Sequence, residues 1–144
     1  MKTTKITTKN RDVGSVVDVE VDAYIVGGLA VHRPISSETL KPIKTSAAWT
    51  ITHVASGKSI TPSKGHRPKT LRVALRIANA IQERLSFLNW SSENPLAESK
   101  LGQSVWQHID QIFRDNWNLD NEDRAQRLQD RINEVKKLQT VKFK

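Results

Sequence analysis

The spacing of apolar residues changes once along this chain, from every second position to every third or fourth, and that change sets the fold class. Val17, Val19, Val21, Ala23 and Ile25 alternate with Asp18, Glu20, Asp22 and Tyr24. Successive side chains of a strand point to opposite faces, so this segment reads as a strand with one apolar and one wet side. Leu71, Ala74, Leu75, Ala78, Ile81, Leu85 and Leu88 recur instead at three and four. That gathers them on one stripe of an amphipathic helix. Each element has a face it must bury, and each is the natural cover for the other, so an α+β fold is expected.

The segments between fill in the sheet. Gly27-Gly28 suits a tight reversal, and Leu29 to His32 returns as a second strand that ends before Pro34. Ser36 to Ser46 is polar, contains Pro42, and reads as a loop. Ala48 to Val54 is rich in β-branched and aromatic residues and reads as a third strand. Ser56-Gly57 suits a turn before a short fourth strand at Lys58 to Thr61. The expectation is an antiparallel meander of three or four strands, covered by the amphipathic helix that Thr70 caps.

Two further helices are expected after that one. The first begins near Pro95, which a first helical turn tolerates, and buries Leu101, Val105, Trp106, Ile109, Ile112 and Phe113. Asp115-Asn116 and Asn118 to Asn121 read as a break. The last helix carries Ala125, Leu128, Ile132 and Val135 as a narrow stripe. A short dimer seam and packing back onto the preceding helix are the two readings of that stripe, and fewer than three heptads favour the second. Residues 1–12 show no apolar periodicity and are expected as a flexible basic arm. Residues 13–144 then form one domain, with sheet and main helix in 13–90 and the helical part in 95–139.

Charge is distributed unevenly. From Thr39 to Gln82 there is no Asp or Glu, yet eight Lys and Arg residues occur: Lys41, Lys44, Lys58, Lys64, Arg67, Lys69, Arg72 and Arg76. The whole chain has 23 Lys and Arg against 15 Asp and Glu, a net charge of +8, so this block equals the entire excess. A one-sign block in folded sequence points to phosphates or acidic protein surfaces as partners. With His66 between Lys64 and Arg67, these residues are the candidate nucleic-acid-binding set. A loop and a helix N-terminus meeting there would add backbone N–H groups to the side-chain charge.

Other chemistries find little support. The chain has no cysteine, which removes disulfides, thiolate metal sites and cysteine nucleophiles. No G-x-x-x-x-G-K-[ST] or G-x-S-x-G motif occurs, and His32, His53, His66 and His108 lack metal-ligand spacing. Asp18, Glu20 and Asp22 share one face of a strand, and a metal-dependent nuclease using these carboxylates is a third reading. Neighbours two apart on a strand sit about 7 Å from one another, too far for all three to meet one ion. No metal, cofactor or catalytic residue is therefore expected. Trp49, the only aromatic residue of the basic block, reads as core rather than as a platform for bases.

The longest apolar run, Ala23 to Val31, has nine residues, against about 20 for a membrane span. Met1 to Asn10 is basic without the apolar core of a secretory signal. The expectation is thus a cytoplasmic protein without membrane contact, non-enzymatic, binding the phosphate backbone of DNA or RNA. The alternative is an adaptor or inhibitor that docks an acidic partner surface through the same residues. A homodimer is compatible with either.

Overall fold

The computed structural model describes residues 3–12, 15–36, 38–46, 48–62, 65–92 and 102–142. Lys64 and the expected helix start near Pro95 lie outside them. The fold is α+β. Strands β1 (Thr4–Asp12), β2 (Ser15–Val26), β3 (Leu29–His32) and β4 (Thr50–His53) form one antiparallel sheet in chain order, and helices α1 (Leu71–Arg84) and α2 (Gly102–Lys142) follow.

β2 has two neighbours in succession. Its residues Ser15 to Ala23 pair with β1, and Tyr24 to Val26 pair with β3. Period two puts Val19, Val21 and Ala23 on one face, where Ile6, Thr8, Ala30, His32, Thr50 and Thr52 join them in register. All of these are buried. The opposite face begins as Asp18, Glu20 and Asp22, all exposed, and becomes Tyr24 and Val26 where the helices lie. There Leu29, Val31 and Ile51 share one apolar cluster with Val73, Ala74, Ile77, Ala78 and Ile81 of α1 and Val105, Ile109, Ile112 and Phe113 of α2.

The segment expected as a flexible arm is strand β1. Its other edge meets the turn after β4: the Lys9 N–H donates to the Gly57 carbonyl at 2.8 Å. The sheet therefore curls until its first strand reaches the residues following its last. Gly57 permits this approach. Its φ is +71°, and a Cβ there would sit 3.1 Å from the Thr7 carbonyl oxygen. Curling buries the second face of β3 and β4, so all eight of their residues are buried.

Polar groups on that inner face find partners. The His32 Nδ1–H donates to the Arg33 carbonyl (2.7 Å), and Nε2 lies 2.7 Å from Thr52 Oγ1. The carbonyl can only accept, so Nδ1 carries the proton and the neutral ring takes the Thr52 hydroxyl on Nε2. Desolvation by burial is the main influence on His32 and lowers its pKa below 6.5; the Arg33 carbonyl opposes this more weakly.

Two other expectations are corrected. Lys58 to Thr61 is not a strand: a single bridge joins Thr52 and Ser59. Two backbone bonds make that bridge, from the His53 N–H to the Lys58 carbonyl (2.8 Å) and from the Ile60 N–H to the Ile51 carbonyl (2.9 Å). Beyond it a hydroxyl takes over, with the Ile51 N–H donating to Thr61 Oγ1 at 2.7 Å. The expected break at 115–121 is absent, and α2 runs unbroken for 41 residues. Asn and Asp cost a helix at most about 0.7 kcal/mol each, and no Gly or Pro follows Gly102. Pairs one turn apart also support the helix, including Gln111 to Asp115 (2.7 Å), Arg124 to Asp120 (3.0 Å) and Gln126 to Asp130 (3.0 Å). The Leu128, Ile132 and Val135 stripe consequently does not fold back onto the preceding helical residues and stays exposed.

Thr70 caps α1 as expected, its hydroxyl accepting the Val73 N–H at 3.2 Å. The Gln82 side chain on the same helix accepts the Gly28 N–H at 2.9 Å, which ties the β2–β3 turn to α1.

Candidate nucleic-acid interface

β3 and β4 run antiparallel with His32 opposite Thr50, so the chain leaves β3 and enters β4 at the same end of the sheet. Three segments collect at that end. Arg33 follows β3 directly. Its guanidinium lies 4.0 Å from the centroid of the Trp49 ring, and Nη1 donates to the Ser46 carbonyl at 2.6 Å. That contact is both a cation–π pair and a brace across the loop.

The loop itself is the second segment. Ile35 bridges to Pro42, the Ile43 N–H donates to the Pro34 carbonyl (2.8 Å), and the Ser36 N–H donates to the Lys41 carbonyl (2.9 Å). These bonds fold residues 34–36 and 38–46 into a compact tongue that holds Lys41 and Lys44 in solvent. Glu38 is the one acid on it.

The third segment is the approach to α1. The Trp49 N–H donates to the Pro68 carbonyl at 2.9 Å, which docks residues 66–69 beside the start of β4. Lys69 is exposed, and its Nζ lies 5.2 Å from the centroid of the Trp117 ring and 3.4 Å from Asn121 Oδ1. His66 meets the same indole edge-on at 5.1 Å. Arg67 is half-buried, and its Nε has no hydrogen-bond partner among the described residues. Ala48, Gly65, Arg67, Lys69 and Trp117 line a shallow hollow of about 300 Å³. α1 begins immediately beyond; the first N–H groups of a helix attract anions, and here Thr70 takes up that of Val73.

The remaining candidates lie elsewhere. Arg76 Nε donates to Asn116 Oδ1 at 2.7 Å, and Asn116 in turn donates to the Ile112 carbonyl at 2.8 Å, so this arginine joins α1 to α2. Arg72 and Arg76 line a groove of about 680 Å³ with Asp120, Asp123, Asp130 and Glu134 of α2. That groove is mixed in sign. Lys58 lies at the far end of β4, after Gly57, with Lys9 of β1 beside that turn. A four-residue strand at about 3.3 Å per residue puts it on the order of 10 Å or more from the Thr50 end.

Thus the structure brings Lys41, Lys44, His66, Arg67 and Lys69 to one end of the sheet, separates Lys58 from them, and sets Arg72 and Arg76 in a groove of mixed charge. Arg33 and Trp117 belong to that end, although the charge block did not include them. The Arg33 signal was its position at a strand end just before Pro34; for Trp117 nothing in the local sequence pointed to the Lys69 and His66 contacts.

The acidic row of β2 has other neighbours. Asp18 and Asp22 stand opposite Lys9 and Lys5 of β1 in register, and Glu20 opposite Thr7. Cross-strand pairs of opposite charge stabilise a two-stranded ribbon. Among the described residues no group of three His, Cys, Asp or Glu side chains is arranged to hold a metal ion. His53 is engaged internally, with Nε2 donating to the Trp90 carbonyl (2.7 Å) and Nδ1 against Ser56 Oγ (2.8 Å). No helix among the described residues is long and apolar enough to cross a membrane. Comparison with protein-family models, with curated proteins and with solved structures finds no match to this chain.

Proposed function

We propose that this chain is a cytoplasmic, non-enzymatic protein that binds nucleic acid through its phosphate backbone, using the basic end of the sheet. What supports this reading is that the segments bearing Arg33, Lys41, Lys44, Arg67 and Lys69 meet at one end of the sheet, with Glu38 the one acid on them. Lysines on a braced loop and at the approach to a helix suit the spaced anions of a backbone. Backbone contact also fits the aromatic residues better than base stacking does. Trp49 is faced by Arg33, and Trp117 by Lys69 and His66. Phosphate contacts position a nucleic acid without reading its bases, so little sequence preference is expected.

The test compares two charge reversals in a fluorescence-anisotropy titration with labelled single- and double-stranded DNA and RNA. Lys41→Glu with Lys44→Glu alters only exposed side chains at the basic end and should weaken binding by about tenfold or more. Lys58→Glu, at the other end of β4, should change it by less than about twofold. Equal losses from both variants would refute the assignment of the site. No binding by the native chain to any of the four probes would refute nucleic acid as the ligand, and would favour an acidic protein surface recovered after nuclease treatment.

A further inference from the structure

We propose that residues 121–139 of α2 form the seam of an antiparallel homodimer. Two apolar stripes run along this helix, and they are out of phase. Val105, Ile109 and Ile112 face the body and are buried. Continued at the same spacing, that stripe would reach Asn116, Leu119, Asp123, Gln126 and Asp130. Leu119 is already 50% exposed, and beyond it the stripe is polar. The second stripe, Ala125, Leu128, Ile132 and Val135, starts two residues later. At about 100° per residue it is turned more than a third of a revolution from the side that packs on α1. Leu128 borders the groove that α1 shares with α2, yet the body of the same chain leaves the stripe exposed.

This second stripe is large and in solvent. Leu128 is 60% exposed, Ile132 40%, Val135 53% and Leu138, on its flank, 69%. Its spacing of three and four places it at the a and d positions of a coiled-coil seam. A partner helix offering the same pattern would cover it, and charge selects a second copy in the reverse direction. Through residues 121–130 the acids Glu122, Asp123 and Asp130 exceed Arg124 and Arg127 by one; through 131–139 the bases Arg131, Lys136 and Lys137 exceed Glu134 by two. Antiparallel pairing sets each acidic half against the other chain's basic half. Parallel pairing would set like halves together and bring Arg131 toward the partner's Lys136.

The antiparallel register follows from the stripe. With the two-fold axis near Asp130, Ala125 faces the partner's Val135 and Leu128 faces the partner's Ile132, each pair occurring twice. Asn121 then meets the partner's Gln139, which closes the apolar layers with polar ones, and Glu122 lies toward the partner's Lys136. Two heptads bury less than the 1,200–2,000 Å² or so of a stable interface. A reversible, concentration-dependent dimer is therefore expected rather than a permanent one.

The test is sedimentation equilibrium on the full chain from about 5 to about 500 µM. The weight-average mass should rise from 16.3 kDa toward twice that value. The Leu128→Asp, Ile132→Asp variant should remain at the single-chain mass throughout while keeping the native melting temperature, since both side chains are exposed in the monomer. Orientation is read by mixing two single-cysteine variants, Ala125→Cys and Val135→Cys, in a chain that has no cysteine of its own. Oxidation should link the two different variants to each other. A single-chain mass at every concentration, a mass beyond two chains, or links only between identical variants would overturn the proposal.

Discussion

Replacing Gly57 by alanine tests whether β1 is folded against the turn that follows β4. Two terms oppose the substitution. At φ +71° an L side chain is in the left-handed region, which costs about 1–2 kcal/mol. The new Cβ also meets backbone, 3.1 Å from the Thr7 carbonyl oxygen and 3.3 Å from the Lys9 nitrogen. Those atoms belong to a paired strand and cannot rotate away, so the crowding adds about 1–2 kcal/mol. Gly65 is the internal control. Its φ is +65°, but a Cβ there would meet nothing within 4 Å. Both substitutions restrict the unfolded chain, a gain of about 0.4–1 kcal/mol that cancels in the comparison. Gly57→Ala should therefore destabilise the protein by about 1–2 kcal/mol more than Gly65→Ala. For a chain of 144 residues that is a melting temperature lower by about 3–8 °C. Urea titration and calorimetry on both variants give the difference. Equal stabilities within about 0.5 kcal/mol would refute the contact between β1 and the turn.

Stability should also depend on pH through His32. Burial lowers its folded pKa below the unfolded 6.5, so in that window the unfolded chain binds more protons. Its contribution is complete above pH 6.5 and is lost as pH falls through the folded pKa. The urea midpoint should drop on acidification from pH 7.5 to 5.5, and His32→Gln should flatten the dependence; an unchanged slope in the variant would assign it to other groups. Thr70→Ala removes the cap on Val73 N–H and should cost about 1 kcal/mol in urea titration. Thr70→Asp keeps the cap but adds a carboxylate to the basic end, so it should hold stability while weakening nucleic-acid binding. Unaltered binding in Thr70→Asp would remove the α1 N-terminus from the site.

The β2–β3 hairpin and α1 were legible because each has a strict period and a clear boundary: Gly27 at φ +58° ends one, and the Thr70 hydroxyl starts the other. β1 was not, since threonine counts as polar although its branched Cβ suits a strand. Thr8 in fact faces inward beside Ile6, while Lys5, Thr7 and Lys9 face out. Thr50, Thr52 and His32 hid the second buried face of β3 and β4 in the same way. The break expected at 115–121 overvalued composition against the weak cost of Asn and Asp in a helix. For the site, the charge block was plain but its division was not. Whether Arg76 meets Asn116, or Arg72 shares a groove with Asp123, depends on a helix more than thirty residues away in sequence. Arg33 was missed because Glu38 closed the acid-free window before reaching it.

The most direct measurement is the salt dependence of nucleic-acid affinity for the native chain. Arg33, Lys41, Lys44, Arg67 and Lys69 engaging about five phosphates give a slope of log affinity against log salt near −4 to −5 on duplex DNA, and the Lys41→Glu, Lys44→Glu variant should lower its magnitude by about 2. Affinity that is equal at about 50 and about 300 mM salt would contradict backbone binding by the basic end of this sheet.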